Sequence, residues 1–133
     1  MNPDLSKLTD PERLYLWRKA KGWDLVRTAV NLGVGRGRLH AVELGRKDGL
    51  HLPLHIKQYQ PTLPDLLRLA RRRSGLGLRE VAALVPTSHV TVLYAERRGE
   101  ATLVKFWRGR GFRFPVGMPH GPSAAAKKSN NGT

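Results

Sequence analysis

The sequence predicts an all-α protein of two tandem modules, each with four to five short helices, followed by a disordered basic C-terminal tail. Three observations predict it. Residues 18–45 repeat in residues 71–98 without a gap, placing Leu16 on Leu69, Gly22 on Gly75, Leu25 on Leu78, Ala29 on Ala82 and Glu43 on Glu96, always 53 residues apart. Self-similarity at a period of this size marks one supersecondary unit used twice. Within each copy apolar residues recur at helical spacing, and Pro, Gly and capping residues punctuate them. From Pro115 onward the composition turns to Gly, Pro, Ser, Ala, Lys and Asn, too poor in apolar side chains to offset the entropy of ordering. The expected divisions are an N-terminal arm over 1–10, a first module over 11–60, a second over 61–114 and the tail over 115–133.

The elements follow in order. Thr9 and Glu12 have capping-box spacing, and Pro11 suits a first turn whose amides lack partners. A helix over 11–21 turns Leu14, Trp17 and Ala20 inward, leaves Arg13, Arg18 and Lys19 off that stripe, and ends at Gly22. Asp24 caps a second helix, in which Leu25, Thr28, Ala29 and Leu32 keep helical spacing. Gly33 can then take positive φ between helices. A third helix over 36–44 points Leu39 and Val42 inward and stops at Gly45. Prolines 53, 61 and 64 break the connection, so 50–59 is expected to be partly helical and packed on the first module. Thr62 and Asp65 repeat the cap. Leu66, Leu67, Leu69 and Ala70 then form the second module's first helix, with Arg71, Arg72 and Arg73 behind them. Leu78, Val81, Ala82 and Val85 line its second helix, Val92 and Ala95 anchor its third, and 102–107 supplies a further amphipathic helix.

Charge narrows the partners. Lys and Arg number 24 against 10 Asp and Glu, a net charge of +14 with an isoelectric point near 11.3. That balance suits a protein that neutralises phosphates, although a membrane-surface helix or a ribosomal protein shares it. No apolar run is long enough to span a membrane, and residues 1–13 carry acidic residues but no apolar leader, so a cytoplasmic, unexported protein is expected. With no cysteine there is no disulfide, thiolate metal site or cysteine nucleophile. His51 and His55 stand four apart, but Pro53 interrupts them and no carboxylate or cysteine completes a set, so neither metal nor cofactor is expected. Glycine-rich phosphate loops, nucleophile elbows and paired catalytic carboxylates are missing too, and no enzyme is expected.

Leu14, Trp17, Arg18, Gly22, Ala29, Leu32, Gly33, Val34, Leu39, Val42, Glu43 and Gly45 stand at a spacing that resembles the phage-repressor and Cro (XRE) family of helix-turn-helix proteins. The resemblance implies two tandem helix-turn-helix modules. It couples Arg18 to Glu43, and Arg71 to Glu96, as structural ion pairs; the bland alternative has both arginines meeting solvent or phosphate. Small Ala29 and Ala82 would let the second and third helices approach closely.

The same resemblance places base reading on the third helix. In the first module the readers would be Arg36, Gly37, Arg38 and Ala41, with His40 nearby, and the arginines favour guanine. In the second they would be Ser88, His89, Val90, Thr91 and Tyr94. The bland alternative is a solvated helix face. Where the family commonly places Gln to hold a phosphate, this chain has Asp24-Leu25 and Gly77-Leu78. Phosphate contacts therefore fall to Lys19, Lys21, Arg27, Arg46 and Lys47, and to Arg72, Arg73, Arg97 and Arg98. Arg108 and Arg110 join the phosphate-binding candidates; they flank Gly109 in the core of an AT-hook, but without that motif's prolines they read chiefly as a basic surface turn. Pro86 stands where the first module has Gly33, so the second turn is expected to differ and its third helix to be less well placed.

Together these expectations describe a sequence-preferring regulator of transcription that binds double-stranded DNA, a repressor of phage or mobile-element kind acting at the nucleoid. One chain would read an asymmetric site with two unlike helices, and a second copy could extend the footprint. An architectural, recombination-directionality or partition protein would use the same modules with weak base preference. A third option gives the second module to RNA polymerase or another regulator, and a fourth use of the charge is structured RNA.

Overall fold

The computed structural model describes residues 2–46 and 51–116. Among the described residues the fold is all-α, with eight helices and no sheet. The chain divides into two compact units: Leu8–Pro61, and a second that joins Met1–Lys7 to the chain from Thr62. Lys47 and residues 117–133, most of the expected tail, lie outside the described residues.

The first unit holds α1 (Asp10–Lys21), α2 (Leu25–Leu32), α3 (Arg36–Glu43) and α4 (Leu54–Lys57). The second holds α5 (Leu63–Ser74), α6 (Leu78–Leu84), α7 (His89–Arg98) and α8 (Ala101–Gly109). α5, α6 and α7 begin 53 residues after α1, α2 and α3, so the repeat in sequence is a repeat in backbone. Its starting signal is local. The Thr9 amide donates to Glu12 Oε1 at 2.9 Å while Thr9 Oγ1 accepts from the Glu12 amide, and Thr62 and Asp65 close the same reciprocal box.

In the first unit Leu14, Trp17, Ala29, Leu39, Val42, Leu52 and Ile56 form one buried cluster. The Trp23 ring meets Trp17 edge-on, with centroids 5.3 Å apart, which closes the cluster at the start of α2. Two inferences about α1 are corrected. Ala20 is exposed and Arg18 is buried, because an ion pair at the end of α3 draws the arginine inward. Between the modules α4 is a single short turn after Pro53, with Leu52 and Ile56 as its buried anchors.

The second unit packs Leu63, Leu66, Leu67, Leu69 and Ala70 of α5 with Val81, Ala82, Val92, Leu103, Val104 and Trp107, all buried. Trp107 meets Phe112 edge-on at 5.4 Å, so the turn after α8 is plugged into that core. The expected N-terminal arm is here a strap. Leu5 is fully buried, its amide donates to the Arg113 carbonyl at 2.9 Å, and the Arg113 amide donates to the Pro3 carbonyl at 2.8 Å. One guanidinium completes the attachment: Arg73 Nη1 donates to the carbonyls of Asn2 and Asp4 at 2.9 Å, and Nη2 to that of Lys7 at 2.6 Å. Three carbonyls beyond the reach of helical bonding are thereby satisfied by one side chain.

Candidate nucleic-acid interface

Each third helix is fixed before its outer face is presented. Arg18 Nε donates to Glu43 Oε2 at 2.7 Å and Arg18 Nη2 to Oε1 at 2.9 Å, a bidentate pair joining α1 to the last turn of α3. Arg18 Nη1 also donates to the Trp23 carbonyl at 3.1 Å, so the same guanidinium holds the loop between α1 and α2. In the second unit Arg71 meets Glu96 in the same way, at 2.8 and 3.1 Å. Sequence reading missed a further partner there: Arg68 Nη1 lies 3.8 Å from Asp65 and its Nε 3.9 Å from Glu96. The first unit has Tyr15 at that step of the repeat, with the Arg18 guanidinium 5.6 Å from its ring centre.

The turns before α3 and α7 close alike. Gly33, at φ 68°, ends α2, and the Val34 amide donates to the Ala29 carbonyl at 3.0 Å. At the equivalent step the Thr87 amide donates to the Ala82 carbonyl at 2.9 Å, although Pro86 supplies no amide and no non-glycine among the described residues has positive φ. The second turn does differ at its corner, as expected, but α7 still begins at the repeat position of α3. α7 thus keeps the register of α3 in the repeat. What differs is the cap. Gly35 gives α3 no side-chain cap, whereas Ser88 Oγ accepts the Thr91 amide at 3.1 Å and lies 2.8 Å from the Thr91 hydroxyl. Ser88 and Thr91 thus bond each other at the start of α7.

With Leu39, Val42 and Glu43 turned inward, Arg36, Gly37, Arg38 and His40 are exposed and Ala41 is half-buried. On α7, Val92, Ala95 and Glu96 turn inward; Ser88, Val90, Thr91 and Tyr94 are exposed and His89 is half-buried. Every residue singled out for base reading therefore has an accessible surface on its own unit. Their chemistry is unlike, since α3 presents two arginines and a histidine where α7 presents a valine 44 % exposed and a tyrosine 50 % exposed.

Lys19, Lys21, Arg27, Arg46, Arg97 and Arg98 are exposed, and Arg72 is half-buried. Several lie over aromatic rings: Arg27 is 4.6 Å from the Trp23 centroid, Lys21 5.9 Å from Trp17 and Lys19 5.7 Å from Tyr15. Such stacking holds a long side chain in a defined direction. Arg98 sits 3.8 Å from Glu100. Arg73 is half-buried and donates to the strap carbonyls. A cleft of about 650 Å³ in the first unit brings Lys19 and Arg36 to one wall-lined groove with Trp23, Asp24 and Val26. Arg108 and Arg110 are exposed on a turn and not on an extended chain: Gly109 ends a helix, and the amides of Arg110 and Gly111 bond back to Trp107 and Arg108.

Among the described residues no helix is long and apolar enough to cross a membrane, and no group of three or more His, Asp or Glu is placed to hold a metal ion. No protein-family profile, curated protein or solved structure matches the chain.

Proposed function

We propose that each unit is a helix-turn-helix module and that the chain is a sequence-preferring, double-stranded DNA-binding regulator of transcription. One observation carries the reading: α3 and α7 stand at the same step of the repeat, each clamped by an arginine–glutamate pair whose carboxylate is buried, and each turns its N-terminal half outward. Helices fixed in this way are the usual means of reaching base edges in a major groove. The excess of 24 basic over 10 acidic residues supplies the phosphate attraction. Arg36 and Arg38 favour guanine through bidentate bonds, while Val90 meets a thymine methyl and His89 and Tyr94 offer hydrogen bonds. The site is then asymmetric, and bound protein represses by occluding a promoter, as in phage or mobile-element control at the nucleoid.

Selection of bound sequences from random duplex DNA, followed by footprinting, tests this reading. Arg36→Ala and Arg38→Ala should relax base preference in one half of the footprint, and His89→Ala and Tyr94→Ala in the other. Equal loss on every sequence would sink base reading by these side chains.

A second reading rests on the apolar surface of the second unit. Leu84, Val90 and Tyr94 are 50, 44 and 50 % exposed, and a cleft of about 270 Å³ opens beside α7 between Val85, Thr91 and Leu103. In that case the second module docks on polymerase or another regulator. A footprint confined to the half-site read by α3 would favour it.

A further inference from the structure

The end of α8 and the turn after it carry a feature that the reading helices do not absorb. Residues 105–113 hold four cations, Lys105, Arg108, Arg110 and Arg113, and no acidic residue. All four side chains are exposed. Two phenylalanines are set among them. The Arg110 guanidinium stands 5.7 Å from the Phe106 ring centre, and the Arg108 guanidinium 5.9 Å from that of Phe114. Phe106 and Phe114 are half-buried, whereas Trp107 and Phe112 fill the core beneath. Each outer ring is thus partly covered by the protein and has an exposed arginine over it.

The backbone holding these groups is fixed. Phe112 is plugged against Trp107, Gly111 takes the turn at φ 97°, and Arg113 is pinned on both sides by its bonds to Pro3 and Leu5. Asp4 Oδ2 is 4.0 Å from an Arg113 side chain that remains 69 % exposed. Cations around aromatic faces on a rigid turn are the two components of single-strand recognition, since every base has a face to stack and every link a phosphate. Duplex DNA keeps its faces stacked internally and would use only the charge.

We propose that this corner is a binding site for unpaired nucleotides of single-stranded DNA or RNA: bases enter between Phe106 and Arg110 and between Phe114 and Arg108, and Lys105 and Arg113 hold the flanking phosphates. The site uses no residue of α3 or α7 and does not depend on their reading a duplex. Its occupant is recognised by charge complementarity and by stacking, with little base preference.

Fluorescence anisotropy of the full chain with labelled oligothymidylate, oligouridylate and a mixed-sequence duplex tests the proposal. The first two probes distinguish a DNA source from an RNA source. Phe106→Leu with Phe114→Leu keeps apolar packing but removes the stacking faces, and should weaken single-strand binding about tenfold or more while leaving duplex binding unchanged. Arg108→Gln with Arg110→Gln, at exposed positions that leave the core intact, should also weaken single-strand binding. Unchanged single-strand affinity in a folded leucine variant overturns the proposal, as does an equal loss on the duplex. If circular dichroism shows that the leucine variant has lost its helices, the glutamine variant decides: retained single-strand affinity overturns the site. Arg36→Ala with Arg38→Ala should leave single-strand binding intact, which keeps failure here distinct from failure of duplex reading.

Discussion

The amide of Thr87 reaches over Pro86 to bond the carbonyl of Ala82 at 2.9 Å, repeating the bond from Val34 to Ala29 at 3.0 Å across Gly33. A proline and a left-handed glycine thus occupy the same corner of two turns that close alike. Substitutions should separate them. Pro86→Gly keeps the closing bond but widens the unfolded ensemble, and is expected to lower stability by about 0.5–1 kcal/mol. Gly33→Ala forces a Cβ into positive φ and should cost roughly 1–2 kcal/mol. Urea denaturation of both variants checks this; a larger loss at Pro86 than at Gly33 would show that the proline, not the bond behind it, sets the second turn.

The two ion pairs should respond unequally to loss of their arginines. Arg18 is 8 % exposed and Arg71 20 %, and Glu96 has a second arginine near it, Arg68 at 3.9 Å. Removing one member of a buried pair costs about 3–5 kcal/mol, because the other charge stays behind uncompensated. Arg18→Ala should reach that range. Arg71→Ala should fall below it, since Arg71 is the more exposed of the two arginines and Glu96 keeps Arg68. Equal losses in thermal denaturation would remove Arg68 from the account, and a double-mutant cycle with Arg68→Ala would measure its share.

The strap gives a prediction with a spatial signature. Leu5→Ala empties a fully buried site and should cost roughly 2–5 kcal/mol. The loss should appear in hydrogen exchange of the second unit's helices and not in α1–α4. Arg73→Ala should do the same and leave the salt dependence of duplex binding unchanged. A drop of about one in that salt slope would return Arg73 to the phosphate-binding set.

Acid acts on the same strap through Asp4. Its carboxylate accepts the Ser6 hydroxyl at 2.6 Å and the Ser6 amide at 3.0 Å, and these bonds, helped by Arg113 and Lys7, hold its pKa below the ordinary 3.8. A carboxyl whose pKa falls on folding stabilises the fold fully above its unfolded value and loses that contribution as pH drops through the folded one. An NMR titration of the Ser6 amide should therefore show its midpoint below 3.8, moving upward in Ser6→Ala. A midpoint at or above 3.8 in the parent chain contradicts the arrangement.

Salt tests the proposed duplex contact directly. A protein neutralising about six to ten phosphates should lose on the order of a thousandfold or more in affinity between about 50 and 200 mM salt. Arg46→Ala should weaken all duplexes alike, whereas Arg36→Ala should weaken preferred ones most. A flat salt response would favour a protein partner.

Legibility followed range along the chain. Thr9 with Glu12, Thr62 with Asp65, and Asp24 with the Arg27 amide are contacts within three residues, so the helix starts could be read from the sequence. Leu14, Trp17, Leu39, Val42, Val92 and Trp107 followed from periodicity, and all are buried. The strap could not be read that way: its bonds to Arg73 span 66 to 71 residues, and a lone Leu5 among polar neighbours has no period. Arg68 was missed for a related reason, since its nearest carboxylate belongs to a cap and its other one lies on α7. The candidate readers were found by their position in the repeat, but the mutual bond of Ser88 and Thr91 depends on rotamers that spacing does not specify.

The strap also sets an order of events during synthesis. Residues 2–7 leave the ribosome ahead of everything they pack against, and the last backbone partner of Leu5, Arg113, emerges only after the whole of Leu8–Pro61. The Leu8–Pro61 unit can collapse while the strap, whose partners are not yet made, stays unburied. Closing a loop of that length adds little to the equilibrium cost, because the entropy grows only with the logarithm of length. It does delay the second unit's final closure until translation is nearly past it, so Leu5 remains available to competing apolar surfaces throughout the interval.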